Sequence, residues 1–272
     1  MTQLSHIIFA GAGPGDAGLV TVKLVEALKS AECILVDRLV NPEILKLYAH
    51  MNAEIIFVGK QAYEKESTPQ QDINELLVEK AMAGLKTIRL KGGDVAIYSN
   101  VLDEINAIQS AGISYEIIPG ITAASGAAAS LGIALTGRNI SPGIQIHSMS
   151  IGNVIEEKDY TQWATTNDTL VFYMSIRPLK DLLRKLKEYG AEDELPLVII
   201  EEATSPAQKN SRFTLISFLD LDEYNSFRSP ALVIIGTMVN EINMDHFIQQ
   251  ANIISIFNPI NTTTKNNTIH VS

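Results

Sequence analysis

Two glycine-bearing bends carry the residue types best suited to hold a small molecule. Gly11, Gly13 and Gly15 lie in FAGAGPGD, between an apolar run and a helical pattern, and Gly92, Gly93 and Asp94 close RLKGGD in the same way. Missing side chains let a ligand approach the backbone, and Asp94 can accept donors from it. Plain tight turns, with Asp94 capping the next helix, are the structural alternative. Asp37 ends ILVD at about the spacing at which an acid meets a ribose in dinucleotide sites, so an NAD-dependent dehydrogenase is one reading. Two residues oppose it. Pro14 removes an amide donor from the loop, and Asp16 sets a carboxylate where a pyrophosphate would lie.

A cofactor without phosphate is compatible with that loop. S-adenosyl-L-methionine offers an adenine, a ribose, a zwitterionic amino acid and a sulfonium instead. In PGITAASGAAAS, Thr122 stands near a helix start, and the run of small residues after it leaves room for something flat against the backbone. Thr122 as a helix cap is the bland alternative.

The elements that must position these residues follow from periodicity. HIIFAGAGPGD, TVKLVEALKSA and ECILVDRLV read as strand, helix and strand. The pattern recurs with AEIIFVGK, INELLVEKAMAG, TIRLKGGD, DEINAIQSAG and SYEIIPG. Such alternation implies an α/β chain with a mostly parallel N-terminal sheet covered on both faces. Beyond Gly120, strands are expected at GIQIHSMS, DTLVFYMS, PLVIIEEAT, RFTLIS and ALVIIGTMV, with a helix at PLKDLLRKLKEYG. Fewer helices intervene there, so a mixed C-terminal sheet is expected. The expected domains are 1–119 and 120–243, followed by a polar, mobile tail over 244–272 that carries no apolar period.

Composition narrows the possible functions. The 272 residues are 46% hydrophobic and 19% charged, enough apolar content for a folded core, and no apolar run approaches the roughly 20 residues of a membrane span. No membrane association is expected. A net charge of −10 disfavours nucleic acid, whose phosphates need clustered cations, but leaves room for a small polyanion facing a few local cations. Cys33 is the single cysteine, so no internal disulfide can form and a cytoplasmic location is expected. The five histidines show no metal-ligand spacing, and no metal site is expected.

Taken together and in order, GAGPGD, VDRLV, LKGGD, PGITAA, GIALTGR, LVFYM and EEATSPAQ resemble the motif series of uroporphyrinogen-III C-methyltransferases, from about Phe9 to Val239. The resemblance implies a two-domain tetrapyrrole methylase fold with a cofactor cleft between the domains, and a homodimer. It implies S-adenosyl-L-methionine as cofactor and S-adenosyl-L-homocysteine as its product. By motif position the cofactor residues would be Pro14, Gly92, Gly93, Asp94, Ile97, Thr122, Ala123, Met174 and Ala203. Met174 also has a core reading, since LVFYM alternates like a strand. The tetrapyrrole substrate carries eight carboxylates and needs fixed cations, for which Arg38, Arg138 and Lys91 are the candidates. Methylation at carbon needs no enzyme nucleophile but does release a proton, for which Asp37 and Asp103 are candidate acceptors.

Departures gather on the substrate side. After Asp94 this chain has Val95, Ala96, Ile97, Tyr98, Ser99 and Asn100, where relatives usually carry proline, phenylalanines and Gly-Arg-Gly. Asn100 replaces an arginine, Ala134 and Gly137 stand where proline and histidine are usual, and the segment around His147 to Met149 replaces Thr-Gly-His. The expected function is methylation of uroporphyrinogen III toward precorrin-2, which serves siroheme and corrinoid biosynthesis. A methylase for another tetrapyrrole and a weakly active cofactor-binding homologue are the alternatives.

Overall fold

Short apolar runs in the first half of the chain become adjacent parallel strands, because each is followed by a helix that returns the chain to the same sheet edge. In this computed structural model, which describes residues 6–58, 68–150, 155–222 and 226–242 and the backbone of Thr268–Ile269, the chain divides into two compact units. They are Met1–Ala123 with Ile256–Ser272, and Ala124–Ser255.

The first unit runs β1 (Ile7–Gly11), α1 (Val22–Ser30), β2 (Cys33–Val36), α2 (Pro42–Tyr48), β3 (Glu54–Phe57), α3 (Gln70–Met82), β4 (Thr87–Lys91), α4 (Val101–Ser110) and β5 (Tyr115–Ile118). Its strands lie in the order β3-β2-β4-β1-β5, all parallel. One face packs Leu24 and Leu28 of α1 and Ile44 and Leu45 of α2, while the other packs Ile73 and Leu77 of α3 and Ile105 and Ile108 of α4. The covered parallel sheet is therefore as expected. Helix α2 was not anticipated, although Asn41 and Pro42 announce it: the Asn41 side chain accepts from the Glu43 amide at 2.9 Å, and proline fits the first helical turn. The tail expected over 244–272 lies outside the described residues, except that the backbone of Thr268–Ile269 pairs antiparallel with β3.

The second unit contains α5 (Ala123–Ser130, which starts at the junction), β6 (Ile144–Ser148), α6 (Glu157–Thr165), β7 (Thr169–Tyr173), α7 (Leu179–Glu188), β8 (Pro196–Glu201), β9 (Lys209–Thr214), α8 (Leu215–Leu219) and β10 (Ala231–Ile235). Its sheet, in the order β6-β7-β10-β8-β9, is mixed: β6 and β7 are parallel, and the other pairs are antiparallel. Leu179, Leu182, Leu183 and Leu186 of α7 cover one face, and Ala124 and Ala127 of α5 cover the other. The expected strand RFTLIS stops early. Thr214 and Ser217 cap each other's backbone amides, at 3.3 and 2.8 Å, so Leu215 begins a helix instead. No helix among the described residues is long and apolar enough to cross a membrane.

Thr214→Ala removes that reciprocal cap and should cost about 1 kcal/mol of unfolding free energy in a urea titration.

Candidate active site

The carboxyl ends of β1, β4 and β5 approach one another closely at backbone level. The Gly13 amide donates to the Gly93 carbonyl at 3.1 Å, and the Gly93 amide donates back to Gly13 at 2.8 Å. A Cβ on Gly11 would stand 2.6 Å from the Gly93 oxygen, and one on Gly120 would stand 2.8 Å from the Gly11 carbonyl carbon. Any side chain at these positions would have to displace backbone, so the three bends can close on one another only as glycine. Open sheets of parallel strands bind ligands at this end.

The crowding eases at one place. A Cβ on Gly93, whose φ is +68°, would meet only the Ala123 amide, at an ordinary 3.9 Å, so backbone does not crowd this bend as it crowds Gly11 and Gly120. Thr122, Ile97 and Pro14 are half-buried around these bends. Asp94 spans them: Oδ2 accepts from the Gly120 amide at 2.8 Å and Oδ1 from the Ala96 amide at 2.7 Å. Both its oxygens thus fix backbone. Asp16 is exposed and accepts from the Gly18 amide at 2.7 Å, which keeps a carboxylate on the first loop. Asn41, 5% exposed, donates to the Gly15 carbonyl at 2.8 Å and ties the first loop to the segment after β2.

Beside the bends lies a buried network of four charges. Arg89 on β4 donates through its terminal nitrogen to Asp37 Oδ1 at 2.5 Å and to Glu104 Oε1 at 3.1 Å. Lys91 Nζ donates to Glu104 Oε1 at 2.8 Å and stands 3.9 Å from Asp37 Oδ2. The Asp37 side chain is 28% exposed, against 2% for Arg89 and Lys91 and 1% for Glu104. Burial alone would lower the proton affinity of Arg89, but the carboxylates of Asp37 and Glu104 outweigh it and raise it. Lys91 is held below the ordinary lysine value by burial and by the neighbouring Arg89 charge, with the two carboxylates offsetting only part.

This arrangement corrects one expectation. Lys91 is neither solvated nor free to meet a substrate anion, because its ammonium is committed to Glu104 inside the sheet. Asp103 is exposed in a shallow groove with Gln70, Asn74 and Asn106 of the neighbouring helical surfaces, while the next residue, Glu104, turns inward. Adjacent helical residues point about 100° apart, so only one of the two can join the network. Arg38 is half-buried directly after Asp37, and Arg138 is exposed on a turn closed by a bridge between Gly137 and Ser141.

In the second unit the ends of β7 and β8 carry unusual backbone. Met174, Glu202 and Thr204 adopt φ of 53°, 49° and 66°, values that non-glycine residues occupy at a cost and that gather at ligand sites. Met174 is 50% exposed, so its core reading is overturned. Ala203 is half-buried between two of these residues. The Tyr173 hydroxyl accepts from the Ala124 amide at 2.8 Å and holds the first turn of α5. His147, half-buried, packs 4.5 Å from Trp163 and 5.5 Å from Phe172, centroid to centroid, and burial lowers its pKa. Cys33 is fully buried, which pushes its thiol up to about 12.

Arg89, Glu104 and Asn41 are the residues that sequence reasoning missed. Arg89 and Lys91 stand two apart in a strand at mid-sheet, hence on one covered face, and two cations there require buried acids. Val101, Glu104, Ile105 and Ile108 form the inward stripe of α4, which places an acid among apolar residues.

A phosphate-averse glycine cradle at the carboxyl ends of a parallel sheet, with a buried ionic network beside it, defines a small-molecule α/β enzyme site. Residues 6–218 match the tetrapyrrole (corrin/porphyrin) methylases, and the chain belongs to that family. It is 42% identical over 236 residues to siroheme synthase 2 of Pectobacterium atrosepticum, covering 86% of this chain and 50% of that protein. Against the siroheme synthase of Tolumonas auensis it is 40% identical over 231 residues, or 85% and 48% of the two chains. The chain thus spans about half the length of these curated relatives. Uroporphyrin-III C-methyl transferase from Thermus thermophilus, solved with S-adenyl homocysteine, superposes with a TM-score of 0.73 at 28% identity, covering 88% of this chain and all of that one.

Gly120→Ala should lose about 1–3 kcal/mol in urea unfolding, because the methyl group is forced into backbone. Gly112→Ala, where an added Cβ meets nothing, should lose only about 1 kcal/mol, for its φ of +73°.

Proposed function

We propose that this chain uses S-adenosyl-L-methionine to methylate carbon atoms of uroporphyrinogen III, giving precorrin-2 for siroheme or corrinoid formation. The observation that carries the reading is the glycine cradle: backbone does not crowd Gly93, the bends are fixed by Asp94, and the first loop bears Pro14 and Asp16, which disfavour a pyrophosphate. The fit to an adenosyl cofactor is chemical as well as spatial, since the cradle offers backbone groups and carboxylates to a ribose and an ammonium. Pro14, Gly92, Gly93, Asp94, Ile97, Thr122 and Ala123 of the first unit would hold it.

When bound, the cofactor supplies an electrophilic methyl group on a positively charged sulfur. The residues of the chain have three tasks. Backbone at the GGD bend would hold the cofactor beside the substrate, so that position and exclusion of water would supply most of the rate. Arg38 and Arg138 hold substrate carboxylates, Arg38 from beside the proton acceptor. Asp37, the one exposed carboxylate of the buried network, accepts the proton that the methylated framework loses. The same reading carries a cytoplasmic homodimer with it.

A second reading is favoured by Asn100. It is exposed, caps α4 with a left-handed φ of 54°, and offers no charge where the resembling family has arginine. A tetrapyrrole with fewer or differently placed carboxylates would suit such a site.

Calorimetry and a labelled-methyl assay test the proposal. S-adenosyl-L-methionine and S-adenosyl-L-homocysteine should bind and NAD should not, and label should enter uroporphyrinogen III. Asp37→Asn should lower turnover by about 10²–10⁴-fold while cofactor affinity stays near wild type. NAD binding without any labelled product would sink the reading, and label entering a different reduced tetrapyrrole alone would select the second one.

A further inference from the structure

Arg89, Lys91 and Glu104 occupy a face of the first sheet that otherwise buries Phe9, Leu35, Ile105 and Ile108. Taking such charges out of water costs several kcal/mol per ion, and apolar residues of similar volume would fill the space at no such cost. The charges balance, with two cations against two carboxylates, and among them only Asp37 reaches solvent appreciably.

We propose that Lys91 and Glu104 are positioning residues that act through Asp37, holding its carboxylate in place and setting how readily it takes a proton during methyl transfer. This deepens the methyltransferase reading and rests on it. Glu104 receives Arg89 Nε through both oxygens at 3.2 Å and Lys91 through one at 2.8 Å, so it fixes where both cations stand. Those cations in turn address the two oxygens of Asp37, at 2.5 and 3.9 Å. Among the described residues, the other groups bonded to Arg89 and Glu104 are neutral. Helix α3 contributes the uncharged Gln70, 3.4 Å from Glu104, and the Leu35 and Leu90 carbonyls accept from Arg89. Arg38 follows Asp37 in the chain and adds its fixed charge in every variant below.

The sign of each perturbation follows from the charge removed. Glu104→Gln leaves two cations beside Asp37 and makes it a weaker base. Lys91→Met leaves Arg89 shared between two carboxylates and makes it a stronger one. A network that only stabilised the fold would lower melting temperature and activity together, without opposite effects on pH dependence.

The test is the pH profile of kcat in the full chain, with calorimetric affinity for S-adenosyl-L-methionine and melting temperature as companions. Glu104→Gln should move the acidic limb to lower pH and Lys91→Met should move it to higher pH, each by about one unit. Both should reduce kcat on the order of tenfold or more, with cofactor affinity held within about threefold. Lys91→Arg, which keeps the charge, should restore the limb towards wild type. Limbs that stay in place, or move in the same direction in both variants, overturn the proposal. If Gln or Met prevents folding, Glu104→Asp and Lys91→Arg, which keep the charges but move them, take their place: both should lower kcat with cofactor affinity near wild type, and kcat unchanged in both overturns the proposal. Wild-type protein that methylates no tetrapyrrole defeats the functional reading itself. Titration of the ¹³C-labelled Asp37 carboxylate then decides the network: opposite displacements support the coupling, and coincident curves refute it.

Discussion

The close approach of three backbones at Gly11, Gly93 and Gly120 is the constraint on which the first unit depends. No side chain fits where these bends cross, so hydrogen bonds between Gly13 and Gly93 replace the packing that side chains would give. That exchange produces a rigid floor made of peptide groups. It also leaves Gly93 uncrowded by backbone, and there the proposed cofactor would meet peptide groups directly. Asp94 is the brace: by accepting from Gly120 and Ala96 it fixes two bends with one carboxylate.

The buried ionic network solves a different problem at the same sheet edge. A single carboxylate at the end of a strand would be free to rotate. Two cations held by a second carboxylate restrain Asp37 from inside the protein while its outer side stays accessible. The arrangement costs desolvation energy, and removing one member without its partner would cost about 3–5 kcal/mol. An expense of that size is hard to reconcile with packing alone.

Much of this was legible in the residues, and the failures have physical causes. Strand and helix alternation gave the covered parallel sheet, since period and length are local properties. The glycine bends were equally legible, because only backbone geometry explains their spacing. Lys91 was misread because side-chain direction on a strand depends on which face the sheet buries, a property of the whole fold. Thr214 ended β9 early through a cap that competes with strand propensity over two residues. The core alternative for Met174 came from the alternation of its neighbours, and its own left-handed backbone and 50% exposure remove it.

The proposed function depends most on one step, the binding of an adenosyl cofactor at the GGD bend and the start of α5. A crystal structure of the chain grown with S-adenosyl-L-homocysteine tests it most directly. The ligand should lie against Gly92, Gly93 and Asp94, with Thr122 and Ala123 in contact with it. A ligand bound elsewhere, with the space at Gly93 closed by protein, would contradict the account.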